Sequence, residues 1–299
     1  MTSQSAISTG HTEFARFITF DLHEKTDLNR LRIALAQLPR FIKMFHQQFP
    51  ECRLGSAVAI GPQAFAKLYP HQPQPDNEFP KLTYKGKDLP VTPSDLLLHI
   101  RCDRKDITYE YAMACYQWLK LDCNIKEDTE GFRYFAGRDL TGFVGHDGKS
   151  CPAEDALKSG AIGDEGPLQD GSYVHIQKFC FDLPRWQGLP ESEQELVIGR
   201  GKRDNQKEIS DKQHPPHIHR VRLSGNDLVR AGIPFGNLQE QGHFFLSYSN
   251  NPRAFGNIMG AMVAQDENGD SDPLLRYAKS VTGAAYFAPS VEFLVKNSF

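Results

Sequence analysis

The chain has 299 residues, 39% hydrophobic and 24% charged, the balance of a globular protein that buries a core. Its 34 basic and 37 acidic residues give a formal net charge of −3, which provides no electrostatic footprint for nucleic acid or an anionic membrane surface. No apolar run approaches the roughly 20 residues that a membrane-spanning helix needs. The first ten residues lack the basic and apolar regions of a signal peptide, and we expect a short flexible arm there.

The first half of the chain predicts the order β-α-β-β-α-β. Strands are expected at residues 16–22, 56–61, 95–101 and 123–135, and helices at residues 28–45 and 109–121. Asp27 is placed to cap the first helix, which Pro39 is expected to kink or interrupt. A polar, Pro-rich loop at residues 69–93 separates the second strand from the third.

The second half repeats this order. Strands are expected at residues 171–180, 219–223, 242–249 and 284–288, and helices at residues 192–198 and 253–263. Ser192 and Glu195 suggest a capping box for the first of these helices. The repeat predicts an α+β fold of two ferredoxin-like domains, one at residues 1–140 and one at residues 141–299.

The six cysteines are far apart in the sequence, a spacing that fits neither a zinc knuckle nor a disulfide scaffold. They are Cys52, Cys102, Cys115, Cys123, Cys151 and Cys180. With no export signal at the start and no long targeting tail behind residue 290, we expect reduced thiols and a cytoplasmic protein.

Three imidazoles, His214, His217 and His219, fall within six residues. A divalent metal could bind two of them, but zinc or non-haem iron also needs carboxylate or thiolate partners, and none is near in the sequence. Haem iron needs only one imidazole and a large apolar pocket. The stretch from Asp266 to Asp272 lacks the glycine and the final glutamate of a calcium loop, so we expect an acidic solvated turn that leads into the last helix.

Asp147 lies in a turn rich in Gly and Pro, and Asp-Gly alone explains a turn without any chemistry. Farther along the chain come the histidine cluster and then the isolated Arg230. A carboxylate, an imidazole and a guanidinium in this order are the components of one kind of haem site.

Motifs spread over about 160 residues indicate one protein family. They are Gly131-Phe-Arg133, Asp139-Leu-Thr-Gly-Phe-Val144, Asp147-Gly148, Gly171-Ser-Tyr-Val174, Val197-Ile-Gly-Arg-Gly-Lys202, His217 with Arg220-Val-Arg-Leu223, Arg230 before Pro234-Phe-Gly236, and Val281-Thr-Gly-Ala-Ala-Tyr-Phe-Ala-Pro-Ser290. In this order they resemble the dye-decolourising (DyP) haem peroxidases of the compact bacterial kind. The first half matches mainly by its fold pattern. The resemblance implies a dimeric α+β barrel-like architecture with haem b held mainly by the C-terminal domain.

The same resemblance implies roles for single residues. His217 would be the proximal iron ligand, and Asp272 would accept its other ring N–H and make the imidazole more basic. Asp147 would shuttle a proton between the peroxide oxygens, and Arg230 would stabilise the charge on the departing oxygen. Arg200 would pair with a haem propionate.

Phe244 and Phe245 would form apolar walls of the haem pocket. For one of the two, a place in the core of an alternating strand explains the residue equally well.

One motif departs from the family pattern Gly-x-x-Asp-Gly, because this chain reads Gly142-Phe-Val-Gly-His-Asp-Gly148. Without an insertion, Gly145 takes the place of the acid. With Gly145 and His146 as a two-residue insertion, Asp147 and Gly148 regain the spacing to Pro152. We favour this second alignment, in which His146 could share the acid–base role or lie exposed.

Three functions follow from these features. The first is a haem peroxidase that reduces hydrogen peroxide and oxidises phenolic or dye-type donors through a ferryl intermediate, with radical transfer to a surface Tyr or Trp as a route for bulky donors. The second is a haem-binding or haem-handling protein with weak peroxidase activity. The third is a ferredoxin-like module that binds a non-haem metal or another ligand at the histidines. The resemblance also implies a homo-oligomer, a dimer or larger.

Overall fold

The computed structural model describes residues 2–144, 152–205, 207–210, 214–223 and 228–299, with only the backbone of Leu223. The first half follows the predicted order of elements. Its elements are β1 (Phe14–Leu22), α1 (Leu28–Gln48), β2 (Gly55–Ile60), α2 (Pro62–Leu68), β3 (Thr83–Tyr84), β4 (Lys87–Asp88), β5 (Leu96–Cys102), α3 (Lys105–Leu119) and β6 (Cys123–Phe132). The predicted cap is confirmed, because Asp27 accepts the backbone N–H groups of Asn29 and Arg30. Helix α1 runs through Pro39 without interruption, contrary to one of the two effects we expected.

The second half differs from the prediction in its middle. Its elements are α4 (Ala153–Gly160), β7 (Ser172–Phe181), α5 (Leu183–Gln187), α6 (Glu191–Ile198), α7 (His217–Leu223), β8 (Val229–Arg230), β9 (Ile233–Gly236), β10 (Gln241–Ser249), α8 (Ala254–Val263), β11 (Ala278–Ala288) and α9 (Val291–Lys296). The strand predicted at residues 219–223 is wrong, since these residues are helical and strands β8 and β9 follow them.

The capping box predicted at Ser192 is also wrong. Pro190 occupies the N-cap position of α6, no side chain caps the helix, and Ser192 already lies inside it. Glu195 instead accepts the backbone N–H of Lys202 at 2.8 Å, which holds the chain just after α6 against the helix.

Eight strands from both halves close into a barrel. They pair in the order β7-β11-β2-β5-β1-β6-β9-β10, and β10 pairs with β7 again to complete the ring. Two strand pairings join the halves among the described residues, and each is narrow: Phe287 pairs with Ile60 on one side, and Gly131 pairs with Phe235 on the other. The α+β prediction is confirmed, and the two similar halves contribute to one continuous sheet.

Inward-facing side chains from both halves fill the barrel. Phe17, Phe244, Leu246, Tyr248 and Tyr286 all belong to this buried cluster. Outside the barrel, α1 and α3 cover the strands of the first half with a second apolar cluster. Helix α8 covers the second half with a third cluster, in which its phenylalanine and methionines pack against the outer face of the strands.

The start of the chain is held by its side chains, which corrects the expectation of a flexible arm. The Gln4 amide donates to the carbonyl oxygens of Val58 and Pro289, and its oxygen accepts the N–H of Val58. The Thr2 hydroxyl bonds to Glu292 at 3.0 Å, so the arm joins the two halves of the barrel. Over the described ranges, no helix is both long and apolar enough to cross a membrane.

Candidate active site

A histidine and a buried carboxylate form the centre of the candidate site. His217 is the first residue of α7, and its Nδ1 lies 2.7 Å from Oδ2 of Asp272. The Asp272 side chain is fully buried, and its other oxygen accepts the backbone N–H of Leu274 at 2.9 Å. Because a carboxylate beside Nδ1 holds the proton on that nitrogen, Nε2 keeps a free lone pair. The imidazole is thus prepared to be a metal ligand, as predicted for this pair.

The next turn of α7 is fixed by Arg220. Its guanidinium lies 2.6 Å from Asp266 and donates to the carbonyl oxygens of Pro215, Ala264 and Asp270. The backbone N–H of Asp270, and after it other donors that include Arg220, holds the pKa of Asp266 below its ordinary value. The backbone just before α7 and the turn at residues 266–272 are therefore tied together by one buried side chain.

This acidic turn departs from the prediction in two respects. It leads into a short 3-10 helix, Pro273–Arg276, and then into β11, whereas we expected the last helix. It is also only partly solvated, because Asp272 is buried beneath it while Asp270 faces outwards and bonds to Arg276. The turn therefore serves to place Asp272 against His217.

A close contact between two helices places Arg200 near the histidine helix. Helix α6 ends at Gly199, whose φ of 92° is in the left-handed region. A Cβ atom at Gly199 would lie 2.8 Å from Pro216 and 2.9 Å from Ile218, so only glycine allows this approach. Arg200 follows directly and is 7% exposed. The backbone of Arg200 therefore lies beside the segment that carries His217.

Arg230 and Phe245 share the outer face of the barrel. Arg230 lies opposite Ser247 in the pairing of β8 with β10, and opposed residues point to the same side of a sheet. Along β10, Phe244 and Leu246 face the barrel interior, so Phe245 and Ser247 face the other way. The ring centroids of Phe245 and Phe255 of α8 are 6.0 Å apart. Both predicted site residues thus lie on the face that α8 covers.

The alternative explanation for the two phenylalanines applies to Phe244. It is buried in the barrel, where its ring stacks on that of Phe17 with centroids 4.0 Å apart. Sequence alternation alone could not tell which member of the pair faces inwards.

Asp147 and its neighbour His146 lie outside the described residues, but the chain leading to them is anchored. The indole N–H of Trp186 donates to the carbonyl oxygen of Thr141 at 2.9 Å, and Phe143 packs on the same indole ring. The Arg138 guanidinium donates to the carbonyl oxygens of Gly142 and Lys202. These roles of Arg138 and Trp186 were not predicted from the sequence, although the Asp139-to-Val144 motif beside Arg138 was a signal for them.

Comparison with known proteins gives these features a family. A model of the Dyp-type peroxidase N-terminal region matches residues 4–133, and a model of the C-terminal region matches residues 136–293. The chain belongs to the Dyp-type peroxidase family. The predicted family and the prediction of a peroxidase are both confirmed.

Relatives of this Dyp-type peroxidase cover most of its length. The dye-decolorizing peroxidase of Mycobacterium tuberculosis is 34% identical over 274 residues, which cover 87% of this chain and 81% of that protein. That of Rhodococcus erythropolis is 32% identical and covers 95% of this chain and 85% of its own.

Solved structures of the family are also similar. The crystal structure of a Dyp-type peroxidase from Shewanella oneidensis has a TM-score of 0.90 at 30% identity and covers 99% of this chain and 98% of its own. A variant of Rhodococcus jostii DypB, solved in complex with haem, has a TM-score of 0.86 at 28% identity and covers 97% of each chain.

Proposed function

We propose that this chain is a haem-dependent peroxidase that reduces hydrogen peroxide and oxidises small phenolic or dye-type one-electron donors. The observation that carries the proposal is the 2.7 Å contact between His217 and the buried Asp272. A similar protein, Rhodococcus jostii DypB, has been solved with haem, which supports the same cofactor here. Haem supplies the redox chemistry, and this chain supplies the ligand, the pocket and the proton transfer.

The residues around His217 fit haem better than a bare metal ion. In the part of the chain that the structure describes, no group of three His, Cys, Asp or Glu side chains is placed to hold a metal. A single imidazole is enough when a macrocycle supplies the other ligands. Phe245, Met259 and Leu275 belong to one apolar cluster on the face that carries Arg230. We therefore propose that His217 holds the iron of haem b and that Phe245 lines its pocket.

Charge complementarity supports the proposed role of Arg200. The side chain is largely buried and follows the tight contact between Gly199 and Pro216. A planar guanidinium suits a carboxylate, so we propose that Arg200 binds a haem propionate. The cofactor would then be held mainly by residues 141–299, the domain that we separate from residues 1–140. The family models, which end at residue 133 and begin again at residue 136, support this division.

We propose that Asp147 would take a proton from one oxygen of peroxide and return it to the other. Arg230 would stabilise the negative charge on the departing oxygen. The position of Arg230 on the outer face of β8, which it shares with Phe245, supports this role. His146 is the other candidate for the proton transfer.

The cellular setting is also a proposal. Among the described cysteines, Cys52, Cys102, Cys115, Cys123 and Cys180 are all free thiols. Burial raises the pKa of Cys115 to about 12, and that of Cys123 to about 12, so both stay protonated and unreactive. Reduced thiols support a cytoplasmic protein. We also propose a homo-oligomer, because Met44 and Trp118 leave apolar surface exposed on α1 and α3.

The test is stopped-flow absorbance of the haem-loaded protein mixed with peroxide. Asp147→Ala and Arg230→Ala should each slow the change in the haem spectrum by about 100-fold or more, the usual effect of losing a proton shuttle or a charge-stabilising donor. Asp155→Ala is a matched control, since this carboxylate is exposed and bonds to Lys158 on the surface of α4. Its rate should equal that of the wild type.

Other outcomes would change the proposal. A normal haem spectrum with slow reaction in the wild type would favour a haem-handling protein. A fast reaction that is indifferent to Asp147 but slowed in His146→Ala would move the proton transfer to His146. Failure of the wild type to bind haem would refute the proposed cofactor.

A further inference from the structure

A cavity of about 280 Å³ opens where the two halves of the barrel meet. Among the described residues, β6 pairs with β9 at one position, Gly131 with Phe235. One part of the lining is apolar and includes Ala15, Ala231, Ile233 and Pro234. Arg230, the neighbour of Ala231, lies on the other face of the strand. The part of the cavity that Ala15 and Ala231 line therefore lies on the interior side of the barrel, away from the outer face that carries Arg230.

The cavity ends on a buried guanidinium. Arg101 lines it, is 5% exposed and lies opposite Ala15 in the pairing of β1 with β5, on the interior side of the barrel. One of its N–H groups donates to the carbonyl oxygen of Thr9 at 2.7 Å. Among residues 2–144 and the other described ranges, no carboxylate forms an ion pair with it. Burial, to which the charge of Arg53 adds, lowers the pKa of Arg101 to about 10, so it stays charged at neutral pH.

An unpaired charge with open donors is costly to bury, because a guanidinium carries five N–H groups that water would otherwise satisfy. The remaining donors of Arg101 have no acceptor within the described protein. A planar fork of this kind matches the two oxygens of a carboxylate. The side chain can therefore bind an anion that the fold itself does not provide.

Other lining residues strengthen the positive potential. Arg53 and Arg133 line the cavity too, although Asp103 and Glu13 each pair with one of them at 2.7 Å. Burial, and after it the charges of Arg101, Arg133 and Arg53, lowers the pKa of His11 in the same wall. Burial is the larger cause, and the three guanidinium groups add to it in the same direction.

One carboxylate is present in the wall, and it is already engaged. Asp139 accepts the N–H of Leu140 and has an oxygen 3.4 Å from the ring of His243. It therefore does not act as the counter-ion of Arg101.

We propose that this cavity binds a small carboxylate anion with an apolar body. The guanidinium of Arg101 would hold the carboxylate, and Ala15, Ala231 and Ile233 would contact the apolar part. The volume is just below the range of about 300–1,000 Å³ that is common for ligand pockets, so one small molecule fits. The apolar wall favours such an anion over inorganic phosphate.

The test is calorimetric titration of benzoate into the haem-loaded full chain. The wild type should bind benzoate saturably, with a Kd on the order of 1 mM or tighter. Arg101→Met should weaken binding at least about tenfold, which is the loss of one charge-assisted contact. Arg16→Met is the matched control, because Arg16 lies next to Ala15 on β1 but pairs with Asp128 at 2.6 Å on the outside. It should bind benzoate as the wild type does.

Two further probes separate this site from others. Benzamide, which has the same shape without the charge, should bind at least about tenfold more weakly than benzoate. The haem absorbance should not move during the titration, because Arg101 and Ala15 lie on the interior side of the barrel and not on the outer face that carries Arg230. If Arg101→Met does not fold, Arg133→Gln replaces it with an expected loss of about threefold, the share of a more exposed cation.

The proposal is overturned if benzoate does not bind, if Arg101→Met binds it as well as the wild type, or if the haem spectrum shifts with binding. Phosphate binding more tightly than benzoate would also contradict it. Because none of these readouts uses peroxide, they are independent of the proposed peroxidase activity.

Discussion

Replacing Asp272 by Asn tests the role of the buried carboxylate beside His217. The two side chains are almost equal in size, so packing is preserved. The amide has one acceptor and one donor group, whereas Asp272 accepts from both His217 and the N–H of Leu274. If the amide oxygen keeps the bond to Leu274, its NH₂ group faces Nδ1 of His217. That nitrogen must then accept, which moves the ring proton to Nε2 and opposes metal binding.

The size of the effect follows from the burial of the pair. Partners of metal-bound histidines are typically worth 10- to 100-fold in affinity or activity. This range equals about 1.4–2.7 kcal/mol, the same as one charge-assisted hydrogen bond in a buried site. A carboxylate beside the ligand favours the more oxidised iron, so its loss should raise the one-electron reduction potential. The rise is about 60–120 mV when the whole 10- to 100-fold effect falls on the oxidised state, at about 59 mV per tenfold change.

Two measurements check this prediction on haem-loaded protein. Stopped-flow mixing with peroxide should show a rate constant lower by about 10- to 100-fold in Asp272→Asn. A spectroelectrochemical titration should show the rise in potential, which a merely structural role would not produce. Asp270→Asn is the control, because Asp270 lies in the same turn but bonds to His214 and Arg276 instead of His217. It should leave both quantities unchanged.

The reasoning would be refuted by an Asp272→Asn protein whose potential and peroxide rate both match those of the wild type. It would be equally refuted if Asp270→Asn and Asp272→Asn shifted the potential by the same amount. The first result would mean that the carboxylate does not influence the ligand. The second would mean that the charge of the turn acts from a distance, without the contact to His217.

Three further predictions concern stability. His175 is buried and stacks on Phe255, and burial lowers its pKa to about 4. As the pH falls, the unfolded chain therefore binds a proton at His175 before the folded chain does, and the free energy of unfolding should fall by about 2 kcal/mol between pH 7 and pH 5. Denaturant titrations of His175→Phe should show a smaller fall over the same pH range. Arg220→Ala should lower the free energy of unfolding by about 1–3 kcal/mol, since it removes a buried guanidinium that donates to Asp266 and to three carbonyl oxygens; thermal unfolding that matches the wild type would contradict this. Gly199→Ala should cost about 1–3 kcal/mol through its positive φ and the contact with Pro216, and an unchanged denaturant midpoint would show that the helices can separate.

Most of the fold could be predicted because its elements carry local signals. The alternating strands β1, β5 and β10 and the capped helix α1 depend on patterns within a few residues of each other. The closed barrel was not available from such patterns alone. It depends on the single pairings Phe287–Ile60 and Gly131–Phe235, which join residues far apart in the chain. The architecture came from the family resemblance instead.

The residues of the candidate site could be predicted from the sequence, but their arrangement in space could not. His217 and Asp272 are 55 positions apart, and no local pattern joins them. The motifs of the family identified both, and the structure brings them together. The role of Trp186 could not be predicted from the sequence, since its bond to the Thr141 backbone depends on tertiary structure. The cavity at Arg101 could not be predicted from the sequence, because the pattern there indicates only a polar residue near the end of a strand.

The helix found in place of the strand predicted at residues 219–223 begins earlier, at His217, and this matters for the site. In a strand, His217 and Arg220 would point to opposite faces, because their separation is odd. In a helix, residues three apart lie on the same side, one turn from each other. One acidic turn can then satisfy both, with Asp272 on His217 and Asp266 on Arg220. The spacing of the two basic residues and the spacing of the two acids therefore match only if the segment is helical, and this match fixes the orientation of the imidazole.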